Sequence, residues 1–137
     1  MIDVNAYLFF NGNCAEVMRF YEKTLGGKLR LVTGKDMPGT PPEQADAIMH
    51  ARLDLDGGGF LMASDWMSPD PYPGMSGFRV CLSYPSTADA SRVFNALAAG
   101  ASIQMPFQKT SWSPGFGMLA DRYGTPWMVT SEEGQQQ

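Results

Sequence analysis

The only histidine of the chain, His50, is the side chain best suited to acid–base chemistry. It alternates with Arg52 and Asp54, so the three side chains share one face of a predicted strand. An imidazole titrates near neutral pH, and it can act as a general base or hydrogen-bond a substrate. His50 can equally be a structural histidine bonded to a neighbour, and the sequence leaves both interpretations open.

Two charged residues interrupt apolar stretches and are the other polar candidates. Asp65 ends a predicted strand and could orient a substrate or accept a proton, although an Asp there more often bonds nearby backbone. Arg79 stands in a predicted apolar strand and could bind an anionic substrate. Alternatively, Arg79 faces the surface or pairs with Asp65. We take His50 and Asp65 as catalytic candidates and Arg79 as a ligand-binding candidate.

Bulky apolar side chains would line a ligand pocket, because such pockets are mostly apolar and carry few polar anchors. The predicted ligand-binding residues are Arg79 and six bulky residues, namely Tyr7, Phe9, Met62, Trp112, Phe116 and Met118. Trp127 completes this bulky set. We expect at least half of the bulky set to be ordinary core, because strands bury such residues in any case.

The two cysteines, Cys14 and Cys81, are too few for a disulfide framework and lack the CxxC spacing. Cys81 shares strand parity with Arg79, and we expect it to be a buried, inert thiol. Cys14 falls at the start of a predicted helix, where the dipole favours a thiolate, yet no base adjoins it in the sequence. We therefore expect Cys14 to be a packed helix residue.

The composition is that of one globular domain without a nucleic-acid or membrane partner. Of the 137 residues, 44% are hydrophobic and 18% are charged. The net charge of −4 and the ten scattered Lys and Arg residues argue against nucleic-acid binding, which needs a basic face. The sequence lacks a signal-peptide pattern, and no apolar stretch approaches the ~20 residues of a membrane span, so a cytoplasmic location is predicted.

An internal repeat organises the chain. Residues 13–31 and 87–105 both read as a helix that ends in glycine and is followed by an alternating strand, with Phe20 falling on Phe94. A strand, a glycine turn and a further strand follow each of them. The repeat predicts two βαβββ modules and an α+β fold.

Hydrophobic periodicity places the elements of the two modules. The predicted helices cover 14–25 and 87–99, with Asn13 and Ser86 as their N-caps. The predicted strands cover 6–10, 28–32, 48–55 and 60–65 in the first module, and 78–84, 102–107, 117–121 and 125–131 in the second.

The domain organisation follows from these elements. We expect a single domain, 1–137, made of a first module at about 1–66, a linker at 66–77, a second module at about 77–131 and a frayed tail at 132–137. The linker carries Trp66 and Tyr72. Apolar loop residues of this kind pack on core, on a partner subunit or on a ligand, and the sequence leaves the three open.

Several short motifs, taken in order, resemble the PhnB-like branch of the glyoxalase/bleomycin-resistance (vicinal-oxygen-chelate) superfamily. In the first module they are FFNGNC at 9–14, FY at 20–21, LGG at 25–27, MHA at 49–51 and MASD at 62–65. In the second module they are MPFQKT at 105–110 with Trp112, FGM at 116–118, DRYG at 121–124 and WMV at 127–129. Each motif is modestly specific, but together they span nearly the whole chain. The resemblance implies an eight-stranded fold in which each module curls into half of a cup, and it implies homodimers.

Enzymes of that superfamily hold a divalent metal in the cup, whereas its bleomycin-resistance proteins bind a drug without one. The resemblance implies His, Glu or Gln ligands on the first and fourth strands of the modules. The four places fall near Ala6 or Tyr7, Leu61 or Met62, Phe78 or Arg79, and Met128. No choice among them yields two good ligands, so no cofactor is predicted, with a divalent metal at a non-standard site as the alternative.

The sequence is therefore compatible with three functions. The preferred one is a binding protein that holds a small, partly apolar molecule in a metal-free cup. The second is an enzyme of the superfamily, a lyase, dioxygenase or transferase, with a non-standard site that uses His50. The third is a structural dimer module. The expected partners are a small-molecule ligand and a second copy of the chain, with no nucleic acid and no membrane.

Overall fold

The computed structural model describes residues 2–132. They form an α+β fold in which the order strand, helix and three strands occurs twice, so the two predicted βαβββ modules are confirmed. The chain divides into two compact units between Pro73 and Gly74, inside the segment 66–77 that the sequence predicts as a linker. Each unit holds one module.

The first unit contains four strands and one α-helix, which follow one another as β1 (Tyr7–Phe10), α1 (Cys14–Leu25), β2 (Lys28–Thr33), β3 (Ile48–Asp54) and β4 (Phe60–Asp65). The strands form sheet A, with the order β1-β4-β3-β2. The first strand runs parallel to the fourth, and the other neighbours are antiparallel. Two short 3-10 helices, Gly34–Asp36 and Pro42–Gln44, lie in the connection between β2 and β3.

The second unit repeats this arrangement with β5 (Val80–Tyr84), α2 (Thr87–Ala98), β6 (Ser102–Gln108), β7 (Phe116–Ala120) and β8 (Pro126–Ser131). Its strands form sheet B, with the order β5-β8-β7-β6 and a parallel pair of first and last strands. The fifth strand begins two residues later than predicted, because its ladder with β8 starts at the pair of Val80 and Trp127. Arg79 therefore precedes the strand.

Each sheet buries one face against its own helix. In sheet A, Leu8 and Phe10 are buried beside α1, whereas the alternating Tyr7 and Phe9 point to the opposite face and are exposed. The core of the first unit also contains Val17, Met18, Tyr21 and Leu53, and the core of the second unit contains Val93, Phe94, Leu97, Leu119, Trp127 and Val129. Each such side chain contributes roughly 1.5–3 kcal/mol of burial free energy, which holds helix and sheet together.

The two helices begin in different ways. Asn13 occupies the N-cap position of α1, as predicted, but its side chain makes no capping hydrogen bond. The N–H of Cys14 instead donates to the carboxylate of Asp65, at 2.9 Å. At α2, the hydroxyl of Ser86 accepts from the N–H of Asp89, as its N-cap role predicts.

Two expectations concern the ends and the surroundings of the chain. Apart from Glu132, whose N–H donates to the carbonyl of Tyr84, the predicted frayed tail 132–137 lies outside the described residues. Within residues 2–132, no helix combines the length and the apolar character needed to cross a membrane.

Candidate functional site

The face of sheet A opposite α1, here named far face A, carries His50 together with the ligand-binding candidates Tyr7, Phe9 and Met62. Strand pairing places Tyr7, Met62, Arg52 and Arg30 in one row across the four strands, because each is the Cα partner of the next. In the two antiparallel pairs of this row, the Cβ atoms of neighbouring side chains lie within about 5.5 Å of each other. Far face A therefore combines aromatic, thioether and cationic groups in one strip.

Aromatic rings form a continuous cluster at the β1 end of far face A. The ring centroids of Tyr7 and Phe9 lie 5.1 Å apart, those of Phe9 and Trp66 5.6 Å apart, and those of Trp66 and Tyr72 6.0 Å apart. We name these four residues the aromatic cluster. Tyr7 and Phe9 keep 39% and 43% of their surface exposed, so their rings are accessible to a molecule that binds on far face A.

The loop half of the aromatic cluster is held by hydrogen bonds. The hydroxyl of Tyr72 donates to the carbonyl of Phe9 at 2.6 Å, and the indole N–H of Trp66 donates to the carbonyl of Asp70 at 2.8 Å. Partial burial raises the pKa of the Tyr72 phenol. The linker aromatics thus pack on the first unit itself, and their apolar character in a polar loop was the signal that could have marked them as site residues.

The imidazole of His50 joins this strip through the phenol of Tyr7. The Tyr7 hydroxyl lies 3.2 Å from Nδ1 of His50, and the ring centroids are 5.8 Å apart. When Nδ1 carries no proton, the phenol donates to it and Nε2 holds the ring proton. His50 is half-buried, so the pair forms a polar anchor beside the exposed rings.

Arg52 provides the positive charge of far face A. Its guanidinium carbon lies 3.7 Å from the ring centroid of Phe60, and its Nε donates to the carboxylate of Asp54 at 2.9 Å. The same carboxylate pairs with Arg30 at 3.5 Å. Two guanidinium groups therefore share one carboxylate, which leaves a net positive charge here. The sequence placed Arg52 on the face of His50 but did not identify it as a site residue.

Asp65 lies on the opposite side of sheet A from His50. It is the Cα partner of Phe10, it is only 6% exposed, and its second oxygen accepts from the N–H of Ile48 at 2.8 Å while the first accepts from Cys14. Both carboxylate oxygens thus serve backbone amides. The structure does not bring the two catalytic candidates together.

Cys14 is fully buried beneath this carboxylate. Burial, with a further contribution from the negative charge of Asp65, raises the pKa of the Cys14 thiol to about 12. The thiol is therefore protonated at neutral pH, and a packed helix residue is what the sequence predicts. Cys81 differs: it is exposed, so the expectation of a buried thiol is wrong, because its strand position points away from α2.

The second unit holds the remaining candidates on or beside the face of sheet B opposite α2, here named far face B. Nη1 of Arg79 donates to Oε1 of Gln104 at 3.2 Å and to the carbonyls of Leu119 and Trp127 at 3.3 Å each. Its guanidinium thus lies across β8, β7 and β6. Its described partners are neutral oxygens, which leaves its positive charge uncompensated by these bonds.

Trp112 and Phe116 form an edge-to-face pair with centroids 5.5 Å apart, and Trp112 is 59% exposed. Met118 follows Phe116 on the same face and is half-buried. Of the seven bulky residues, only Trp127 is buried, with its indole N–H donating to Asp121 at 2.8 Å. The expectation that half of the bulky set is core is therefore wrong, because strand alternation turns Tyr7, Phe9, Met62, Phe116 and Met118 away from the helices and Trp112 lies in the loop before β7.

At the positions where the resemblance to the superfamily implies metal ligands, the side chains present are unsuited to a divalent metal ion. Tyr7 on β1 and Met62 on β4 are Cα partners, Arg79 precedes β5, and Met128 stands on β8. A thioether is a poor ligand for divalent Fe, Ni, Zn and Mn, which in such sites are held by imidazole and carboxylate, and a guanidinium has no acceptor atom to offer a metal ion. Within residues 2–132, moreover, no three or more His, Cys, Asp or Glu side chains form a group that could hold a metal ion. These residues do not fit the divalent metal of the superfamily's enzymes.

Two relatives are similar to this chain along nearly its whole length. Protein YjdN of Escherichia coli (strain K12) is 33% identical over 138 residues, with 92% of each chain covered. The crystal structure of protein PA1353 from Pseudomonas aeruginosa has 45% identity and a TM-score of 0.89, and the match covers 97% of this chain and 99% of that one.

A more distant structure extends the likeness of fold. The PhnB protein from Bacillus cereus has 24% identity and a TM-score of 0.75, with 95% of this chain and 99% of that one covered. The family model described as the Glyoxalase/Bleomycin resistance protein/Dioxygenase superfamily matches residues 3–129. This match, the two βαβββ modules and the YjdN relationship agree with the resemblance seen in the motifs, and the chain belongs to the glyoxalase/bleomycin resistance/dioxygenase superfamily.

Proposed function

We propose that this protein binds a small, partly apolar anion on far face A, without the divalent metal used by the enzymes of its superfamily. The observation that carries the proposal is the row from Tyr7 through Met62 to Arg52, which sets exposed rings and a thioether beside a cation. An aromatic or aliphatic body would pack on Tyr7, Phe9 and Met62. Its anionic group would meet Arg52.

Arg52 is suited to this task because of how it is held. Its stacking on Phe60 and its Nε bond to Asp54 fix the guanidinium plane, while its terminal nitrogens make no hydrogen bond with any of residues 2–132. A preorganised guanidinium fork matches a carboxylate, sulfonate or phosphate in a bidentate geometry. The hydroxyl of Tyr7 and the imidazole of His50 would accept or donate a further hydrogen bond.

Two probes with similar aromatic bodies test the proposal. The anion 1-anilinonaphthalene-8-sulfonate and the neutral N-phenyl-1-naphthylamine report binding by fluorescence. Arg52→Gln should lower the affinity for the anionic probe by about tenfold, equivalent to about 1.4 kcal/mol, and leave the affinity for the neutral probe unchanged. Phe9→Ser should weaken both. Arg19→Gln, on the exposed surface of α1, is the matched control.

Two results would overturn the proposal. If Arg52→Gln lowered the affinity for both probes equally, the charge of Arg52 would not be what selects the ligand. Native mass spectrometry with elemental analysis of the purified protein tests the other part, since one Fe, Ni, Zn or Mn per chain would contradict binding without a divalent metal. A small molecule retained in that experiment would identify the ligand class directly.

An enzyme that uses His50 is the second candidate, and the 3.2 Å contact between Tyr7 and His50 favours it. A phenol bonded to an imidazole can relay a proton to a ligand on the same face. Once a converted substrate is identified, His50→Ala should abolish turnover, and Tyr7→Phe should alter its pH profile. Full turnover in His50→Ala would remove this candidate.

We also propose that the protein is a cytoplasmic homodimer. Members of the superfamily commonly form dimers, which supports the first part. Light scattering coupled to size exclusion at micromolar concentration measures the state of the chain, whose monomer mass is 15.0 kDa. A mass that stays at the monomer value over a hundredfold range of concentration would contradict the dimer, and cell fractionation would test the location.

A further inference from the structure

Four sulfur-bearing side chains stand in one row across sheet B. Cys81 on β5 is the Cα partner of Met128 on β8, and Met128 is the partner of Met118 on β7. Met118 is in turn the partner of Met105 on β6. Every strand of the sheet thus contributes one sulfur at the same level.

The first three members of this sulfur row lie on far face B. The residues that follow them along their strands, Leu82, Val129 and Leu119, are buried on the α2 side of the sheet. Cys81 is exposed, and Met118 and Met128 are half-buried. Methionine usually fills gaps inside a core, where its thioether has no access to solvent. These sulfurs instead face outward from the core of their unit.

The spacing of the strands allows the sulfurs to converge. Neighbouring strands lie about 4.8 Å apart, so the backbones of Cys81 and Met118 are separated by roughly 10 Å, with Met128 between them. A methionine side chain has three rotatable bonds and adapts its shape to a partner. An ion above Met128 is therefore within reach of the Cys81 thiolate on one side and the Met118 thioether on the other.

Sulfur donors select soft cations. Thiolate and thioether groups suit Cu(I), whereas Mg, Ca and Mn prefer carboxylate, carbonyl and water oxygens. Binding to Cys81 releases the thiol proton, so the Cu(I)–thiolate unit is neutral. This matters because Arg79, two residues earlier, places a positive charge near the row and would oppose a divalent cation more strongly.

We propose that Cys81, Met128 and Met118 form a binding site for a soft monovalent metal ion, Cu(I). The site is on sheet B, and it differs in position and in metal class from the ligand site on far face A. It also differs from the divalent site of the superfamily's enzymes, because its donors are sulfur throughout.

Titration with Cu(I), kept reduced by ascorbate without oxygen and in competition with the chromophoric chelator bathocuproine disulfonate, measures stoichiometry and affinity on the full chain. We expect one Cu(I) per chain. Cys81→Ser and Met128→Leu should each weaken binding by at least about tenfold. Met37→Leu, at an exposed methionine of the first unit, is the matched control and should leave the affinity unchanged. The methionine substitutions conserve volume, so the fold should persist.

A second readout follows the donors themselves. In protein labelled at the methionine methyl carbons, Ag(I), a stable analogue of Cu(I), should shift the signals of Met118 and Met128 and leave that of Met62 in place. Zn(II) at the same concentration should shift neither. Unchanged affinity in Met128→Leu, or methyl signals that do not move with Ag(I), would reduce the site to a single reactive thiol and overturn the proposal.

Discussion

The carboxylate of Asp65, at the end of β4, accepts a hydrogen bond from the backbone N–H of Cys14, the first residue of α1, at 2.9 Å. The first N–H groups of a helix have no partner within the helix, and a negative charge there is favoured by the helix dipole. The other oxygen of Asp65 takes the N–H of Ile48 at the start of β3. One side chain therefore ties a helix and two strands together.

Replacing Asp65 should destabilise the first unit rather than alter a reaction. Asp65→Ala leaves two buried N–H groups without acceptors, and unfolding in urea should show a loss of about 3 kcal/mol. Asp65→Asn, which keeps one acceptor oxygen, should lose less. Asp46→Ala is the control, because that side chain is 94% exposed and its pair with Lys35, at 3.7 Å, contributes little. Equal effects of the two Ala variants would contradict the structural role.

The two thiols should differ in reactivity. Cys81 is exposed and should react with a disulfide reagent such as DTNB in the folded protein, whereas the buried Cys14 should react only after unfolding. The measurement is the number of thiols titrated before and after denaturant is added. Cys81→Ser should reduce the count in the folded protein from one to zero. Rapid reaction of both thiols without denaturant would show that Cys14 is accessible.

The raised pKa of Cys14 also predicts alkaline instability. Its pKa rises from 9.0 to about 12 in the folded protein, so between these values the folded state binds a proton that the unfolded state releases. The contribution of the Cys14 thiol to the free energy of unfolding is complete below pH 9. It is lost as pH rises towards 12, at about 1.4 kcal/mol per pH unit. Cys14→Ala should flatten this fall in the free energy of unfolding. An unchanged pH profile would contradict the assignment.

Gly27 marks a place where two strands approach closely. Its φ is +105°, and a Cβ there would overlap the carbonyl oxygen of Asp54. Gly27→Ala should therefore cost about 3 kcal/mol or more, from backbone strain and overlap together. Gly12→Ala is the matched control, because its φ is +84° with open space around it, so it carries the backbone strain alone, about 1 kcal/mol. Thermal unfolding of both variants measures the difference.

Tyr72→Phe should loosen the linker without weakening the core. It removes the 2.6 Å hydrogen bond to the carbonyl of Phe9, which is worth about 1 kcal/mol. Limited proteolysis should then cut the segment 66–73 faster, while the free energy of global unfolding in urea falls by no more than about 1 kcal/mol. Tyr84→Phe, in the second unit, is the control and should not alter cleavage there. Unchanged cleavage in Tyr72→Phe would show that the loop is held by its apolar contacts alone.

The sequence predicted the architecture well because the information needed for it is local. Alternating stretches such as 78–84 and the amphipathic helices 14–25 and 87–99 carry their own period, and turns are marked by glycine. The N-cap of α1 was different. Asn13 has a suitable side chain in the right position, yet the acceptor is Asp65, 51 residues away from Cys14. No local pattern contains that pairing.

The candidate sites were predicted only in part, for the same reason. Parity placed His50 and Arg52 on one face, but the contact of His50 with Tyr7 depends on the register between strands that are distant in sequence. The sulfur row could not be predicted from the sequence for the same reason, since it depends on three independent strand registers. Cys81 was expected to be buried because cysteine is usually buried, whereas the face of its strand decides its exposure.

The strand order has a consequence for synthesis of the chain. In each sheet the first strand pairs with the last strand of its own module, so β1 has no sheet partner until Phe60–Asp65 has left the ribosome. Residues 7–65 then contain every strand of sheet A, and that sheet can close before β5 exists. The two modules can therefore fold one after the other during synthesis, and each sheet is complete only after the last strand of its module has emerged.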